Sequence, residues 1–197
     1  MDKTLKYALG GLACNAAFSA YYLIFGTVSR SWWLLTLGAY YLILGIVRFV
    51  VLRAKDKEKA AASFAGWMLM VLTFPLAGAV ILSVVRDRGH TLHMIVMIAM
   101  AAYAFTKITL ATIQLIKARR SPSAKLIALR NISFADGFVS IFALQRSMLV
   151  SFEGMSPSEI QLMNTLLGSA VCAIIFLLGL NLVRKRKILF HSLNQSR

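Results

Sequence analysis

The sequence predicts an all-α polytopic membrane protein with six transmembrane helices, and three observations carry that expectation. Six long apolar runs, separated by short basic segments, fill almost all of the 197 residues. Hydrophobic residues make up 59% of the chain and charged residues only 15%, with a mean hydropathy of +0.73. An ordinary soluble domain is about a quarter charged, and a soluble core of this chain length cannot hide so much apolar surface, whereas hydrocarbon can take it. Lys and Arg are also unevenly placed. One side has Lys3 and Lys6; Arg53, Lys55, Lys57 and Lys59; Lys117, Arg119, Arg120, Lys125 and Arg130; and Arg184, Lys185, Arg186, Lys187 and Arg197. The other has Arg30, Arg86 and Arg88. The positive-inside rule then puts both termini in the cytoplasm of a cell-membrane protein, and an even number of spans, which sets the termini on one side, agrees.

About 20 apolar residues cross a bilayer as a helix. That length places spans near 5–26, 32–52, 64–85, 91–116, 131–151 and 162–183, in one domain over 1–197, with short linkers that make neighbours antiparallel. The first run is longer than the apolar part of a signal peptide and no small-residue cleavage site precedes a soluble chain, so it reads as a span. Tyr21, Tyr22, Trp32 and Trp33 surround the first outer turn, and Trp67 stands near the opposite face, at headgroup depth. In the third run Pro75 should kink the helix or mark where it unwinds. The fourth opens on His90-Thr91-Leu92-His93, whose spacing suits a metal but lacks a nearby Cys or carboxylate beyond Asp87, so no metal is assigned. Ser121-Pro122 offers a start for the fifth helix before its apolar part, with Lys125 and Arg130 along the membrane surface. Ser156-Pro157-Ser158-Glu159 is a capping box for the sixth. The basic stretch from Arg184 to Phe190 suits anionic lipids at the cytoplasmic face, or a cytoplasmic partner. Three spans on each side of Arg88 permit a 3+3 inverted repeat.

Charges inside the spans are the informative residues, because each costs about 2.5–3.5 kcal/mol at the membrane centre. They are Arg48, Lys107, Asp136 and Arg146. Arg48 precedes Arg53 closely enough to snorkel to the cytoplasmic surface, and Arg146 can reach the outer surface. Lys107 and Asp136 lie roughly 15 Å and 9 Å deep at 1.5 Å per residue, an offset that a lysine side chain can cover. A Lys107–Asp136 pair is therefore expected. Polar stripes recur at helical spacing. The first helix has Ala8, Gly11, Asn15, Ser19, Tyr22 and Gly26; the fourth has Met100, Tyr103, Lys107, Ala111 and Gln114; the fifth has Ser133, Asp136, Ser140, Ala143, Ser147 and Ser151, with Phe138, Ile141, Phe142 and Leu149 pointing away. These stripes either pack helices through small residues or line a substrate or ion pathway of Asn15, Tyr22, Lys107, Gln114, Asp136, Ser140 and Arg146.

Other classes lack support. The net charge of +15 sits in short loops and tails, where topology and lipid account for it, so no nucleic-acid partner is expected. Cys14 and Cys172 lie inside apolar runs and form no framework. No G-x-S-x-G elbow, H-E-x-x-H pair or P-loop occurs, and Asp136 is the single carboxylate within a span, so no catalytic residue and no cofactor are assigned.

The stretch from Ser31 to Tyr41, ending in Arg48-Phe49, and the stretch from Arg130 to Gly137 resemble uncharacterised six-helix integral membrane proteins of Gram-positive bacteria. The resemblance implies the fold and no activity. A weaker one is to the substrate-binding subunits of energy-coupling-factor vitamin transporters, whose first helix commonly carries an alanine-x-x-x-alanine contact motif; Ala13/Ala17 and Ala16/Ala20 have that spacing. The leading functional expectation is a small-solute or ion transporter, or the membrane subunit of one. The second is an interaction or assembly protein with a membrane-protein partner, and the third an intramembrane lipid enzyme.

Overall fold

The computed structural model describes residues 3–54, 57–85, 94–117, 123–151 and 155–194, with side chains over most of that length. His90, His93 and Ser121-Pro122 lie outside the described residues, as do the side chains of Met100, Tyr103, Gln114 and Lys185–Lys187. The described chain is helical with no strand: α1 Lys3–Val28, α2 Trp32–Arg53, α3 Glu58–Val85, α4 Met94–Lys117, α5 Ala124–Ser151 and α6 Pro157–Asn194. Five of them, all but α4, are long and apolar enough to cross a membrane; the apolar described part of α4 is Ala104–Ile113. Large side chains such as Val28 (77% exposed), Phe74 (76%) and Leu166 (61%) form an apolar outer surface. Such a surface on a bundle this hydrophobic marks an integral membrane protein in contact with lipid.

Helix ends follow local chemistry. α1 closes with Arg30 in the left-handed region (φ 50). Ser31 N–H donates to Gly26 C=O at 2.9 Å and Arg30 N–H to Thr27 C=O at 3.3 Å, the Schellman arrangement that satisfies the last carbonyls. α6 opens on the expected capping box: Ser156 N–H donates to Glu159 Oε2 at 2.8 Å and Glu159 N–H to Ser156 Oγ at 3.4 Å. α5 instead starts after Ser123, whose Oγ accepts from Leu126 N–H at 3.5 Å and donates to Glu58 Oε2 at 2.9 Å, tying the start of α5 to that of α3. Lys125, expected along the membrane surface, reaches the end of α2. Its Nζ donates to Leu52 C=O at 2.7 Å and Ala54 C=O at 3.0 Å, placing a cation on the orphan carbonyls that end α2. Arg130, also expected at the surface, is buried. α3 runs through Pro75 without unwinding.

α5 is the central helix and touches each of the other five. Its burial therefore extends beyond the polar stripe: Asp136, Ser140 and Ser147 are buried, and so are Phe142 and Leu149, which the periodicity had pointing away. α2 and α5 run antiparallel, with Trp33 beside Arg146, Tyr41 beside Ser140, Arg48 beside Ser133, and Leu52 beside Lys125. α3 packs on α6 by a different means. A Cβ built on Gly66 would meet Gly179 O at 2.9 Å, and one on Gly179 would meet Gly66 O at 2.7 Å, so the two backbones touch.

Two alanine substitutions should consequently have opposite signs. Gly179→Ala pushes a methyl group into backbone and should destabilise the protein by about 1–3 kcal/mol. Gly78→Ala, also in a helix interior but with open space around it, should stabilise by about 0.5–1 kcal/mol through helix propensity. Thermal unfolding in mild detergent checks both; equal midpoints would refute the close crossing.

Candidate functional site

A polar cluster forms where α1, α2, α4 and α5 meet, and Asp136 is its centre. The residue is 2% exposed. Lys107 Nζ donates to its Oδ1 at 2.6 Å, and Arg48 Nη2 to its Oδ2 at 3.4 Å. Asn15, fully buried, faces the same carboxylate. With its amide turned so that Nδ2 faces Asp136, it donates to Oδ2 at 2.8 Å and Oδ1 at 3.2 Å; the opposite orientation would set oxygen against oxygen.

Hydroxyl groups of α5 complete the shell. Ser133 Oγ donates to Leu129 C=O at 2.9 Å and accepts from Arg48 Nη2 at 3.2 Å. Ser140 Oγ donates to Asp136 C=O at 2.8 Å and accepts from Lys107 Nζ at 3.4 Å. Because its single proton is committed to that carbonyl, Tyr41 must be the donor in the 3.0 Å contact between Tyr41 Oη and Ser140 Oγ. The ring centroids of Tyr41 and Phe18 stand 5.2 Å and 5.6 Å from Lys107 Nζ, within cation–π range. Tyr22 stacks on Tyr41 at 5.7 Å with the planes 6° apart.

Of the residues expected to line a pathway, Asn15, Lys107, Asp136 and Ser140 meet directly, and Tyr22 supports the cluster through Tyr41. Arg146 is not brought to it. It lies ten residues along α5 from Asp136, roughly 15 Å by helical rise, buried with its guanidinium 4.5 Å from the Trp33 ring. Gln114's side chain lies outside the described residues.

Arg48 is the site residue that sequence reasoning assigned to the surface. It is 2% exposed and turned inward. Its periodicity held the signal: Leu37, Tyr41, Leu44, Arg48 and Val51 are all buried, at spacings of three and four, while Leu42, Ile46 and Phe49 are exposed. Gly11 makes the inward turn possible, since a Cβ there would overlap the Arg48 guanidinium. No family model, curated protein or solved structure matches the chain.

Two cations and one carboxylate leave this cluster one positive charge in excess. Removing Asp136 strands two buried cations, whereas removing Lys107 leaves a balanced Arg48–Asp136 pair. Asp136→Asn should therefore destabilise by about 3–5 kcal/mol and Lys107→Met by clearly less. Thermal midpoints of the two variants in the same detergent test the asymmetry; the reverse order would refute the charge assignment.

Proposed function

We propose that the chain is a carrier of a small solute or ion in the cell membrane, or the membrane subunit of one, with its substrate site at the Asp136 cluster. One observation carries this reading: charges from three helices, with an amide from a fourth, converge inside an apolar bundle and do not balance. A set that only packed helices would cost least if neutral. An unbalanced set can take up or give up a proton or an ion, and intramembrane ionisable groups facing a bundle interior characteristically mark such pathways.

In this reading α4 is the sixth span, its 24 residues covering about 36 Å at helical rise. Both termini are cytoplasmic. Arg53, Lys57 and Lys59 then face anionic lipid, and the basic stretch after α6 adds to them. An inverted 3+3 repeat fits the packing pattern. α1 packs on α2 as α4 does on α5, α2 on α3 as α5 on α6, and the α2–α5 and α3–α6 contacts fall where a twofold axis would pair equivalents, while the α3–α5 contact departs from that symmetry. The resemblance to six-helix proteins of Gram-positive bacteria belongs to the same proposal.

A specific observation favours a second reading, docking onto a membrane-protein partner. Ala13, Ala16, Ala17 and Ala20 all face outward on α1, a small-residue surface of the kind that lets another helix approach closely. The weaker resemblance to energy-coupling-factor subunits points the same way, through the alanine-x-x-x-alanine spacing. A stoichiometric partner copurifying in mild detergent, lost on Ala17→Leu, supports it.

The carrier reading is tested in liposomes with a panel of labelled amines, amino acids, carboxylates and inorganic ions. Wild-type protein should move at least one class, and Lys107→Met and Asp136→Asn should each reduce that flux to the protein-free background. Flux unchanged by both substitutions removes the cluster from the mechanism.

A further inference from the structure

α1 and α2 do not meet evenly along their length. At Gly11 and Gly38 an added Cβ would overlap the facing helix. At Gly45 it would stand 3.7 Å from Asn15 Cβ and 3.9 Å from Leu12 Cδ1, ordinary van der Waals contact. Packing therefore does not demand a glycine there, although glycine weakens a helix interior. What Gly45 leaves is space: a groove of about 230 Å³ between the two helices, with apolar walls. Tyr41 and Gly45 form its buried floor. Exposed Ala16 stands on the α1 bank, and exposed Leu42, Ile46 and Phe49 on the α2 bank, so the groove opens toward the acyl chains. A cavity of about 150 Å³ already admits a benzene ring.

The groove has a direction and an end. Leu42, Ile46, Phe49 and Arg53 follow one another at spacings of four, three and four, a single stripe down α2. Arg53 is exposed at the close of that helix, and its guanidinium turns back over the Phe49 ring, 5.9 Å from the centroid. A cation thus stands at the mouth of an apolar groove. Leu42 lies at the middle of the 22-residue helix. Eleven residues separate it from Arg53, about 16 Å at helical rise, and half of the hydrocarbon core is about 15 Å. The stripe therefore runs from mid-membrane to one surface, the depth of one acyl chain. Lys57 and Lys59, exposed just beyond, add positive charge at that surface.

We propose that this groove holds one anionic phospholipid, with an acyl chain along the Gly45 floor and the phosphate on the Arg53 guanidinium. Guanidinium donors match phosphate oxygens in a bidentate fork. The tail gains little from the hydrophobic effect, because groove and bilayer are equally apolar. Its contribution is close contact along the walls, while the charges select the headgroup. A zwitterionic lipid brings the same phosphate but also a cation, which Lys57 and Lys59 repel. A partner helix has the wrong shape: about 10 Å across, it lies over such a groove, whereas a single chain enters it. The bound chain rests on Tyr41, which bonds to Ser140 and faces Lys107, so the lipid borders the Asp136 cluster. The site is independent of the carrier reading and takes only its leaflet, the cytoplasmic one, from the orientation proposed above.

The test uses the full chain in mild detergent, titrated with phosphatidylglycerol and phosphatidylcholine carrying the same acyl chains. Native mass spectrometry reads bound lipid, and the thermal midpoint reads folding. One phosphatidylglycerol should be retained per chain, with affinity at least about tenfold above that of phosphatidylcholine. Arg53→Gln should weaken phosphatidylglycerol binding by roughly fivefold, the effect of one cation near the surface. Gly45→Leu, whose side chain fills the groove, should lower occupancy by both lipids at least about tenfold. Ala16→Leu narrows the groove from an exposed position and should do the same, which keeps the test open if Gly45→Leu fails to fold. Equal affinity for the two lipids overturns the proposal in favour of unselective boundary contact. Retention unchanged in Ala16→Leu places the lipid elsewhere and overturns the groove, and retention unchanged in Arg53→Gln overturns the headgroup assignment. Displacement by inorganic phosphate overturns it in favour of an ion site, and a lipid-free dimer in favour of contact between two copies. Binding in detergent does not depend on orientation, so Lys57 labelled from outside the cell overturns the cytoplasmic assignment alone.

Discussion

A single carboxylate in hydrocarbon sets the terms for half of this structure. Asp136 cannot remain ionised in an apolar bundle without partners, and four helices supply them: Lys107 from α4, Arg48 from α2, Asn15 from α1, and the hydroxyls of Ser133 and Ser140 that orient those donors from α5 itself. Gly11 has no side chain where Arg48 must pass. Buried ion pairs often add little net stability, since desolvation offsets much of the attraction. Their effect here is on geometry. Lipid weakens the hydrophobic preference of one helix for another, so apolar helices have little to prevent sliding. Along the α2–α5 seam the polar contacts of Arg146, Ser140, Ser133 and Lys125 recur from one end to the other and hold a single register.

The α3–α6 pair solves the same packing problem without charge. Gly66 and Gly179 let the backbones touch, and a Cβ on Gly168 would collide with Val80 at 2.6 Å, so small residues admit the neighbour at more than one level. The bundle thus has two kinds of contact. One half is held by close van der Waals approach, which does not respond to protonation. The other is held by an ionic cluster, which does. A change in the charge of Lys107 would act on the packing of α1, α2, α4 and α5 and leave the α3–α6 contact as a fixed frame.

Much of this was legible because lipid imposes strict rules. Apolar run length and loop charge define an all-helical membrane chain, and the Ser156–Glu159 motif marks a helix start to the residue. The Lys107–Asp136 contact followed from depth along two antiparallel helices, since helical rise converts sequence distance into height. Arg48 shows where that reasoning fails. Its distance from Arg53 describes height alone, and height permits snorkelling; the direction of the side chain is set by rotation about the helix axis and by which neighbour lacks a side chain. The face shared with Tyr41, Leu44 and Val51 carried the rotation, and Gly11 on another helix carried the permission. Lys125 and Arg130 have neighbours that sequence spacing does not reveal. A basic residue near a span end has lipid headgroups within reach, but the carbonyls ending α2 compete for the Lys125 ammonium, and only the tertiary fold shows that they lie beside it; Arg130 is buried against neighbours in the same way. Arg146 stands apart from Asp136 along α5, against the Trp33 ring, a contact that residue type alone does not reveal.

The excess cation distinguishes this cluster from a simple interhelical staple. One Lys–Asp or Arg–Asp pair would hold α5 against a neighbour and leave the interior neutral. Here Asp136 is shared by Lys107 and Arg48, and the two are not equivalent. Arg48 lies 2% exposed and bonds to Ser133 as well as Asp136. Lys107 keeps 12% of its side chain accessible and carries its charge on a compact ammonium at the end of a flexible stem. Arg48 alone is enough to keep the carboxylate paired, so Lys107 is the partner whose loss strands no buried charge. Two cations around one acid are a costly way to pack helices, since either one alone would keep the acid paired.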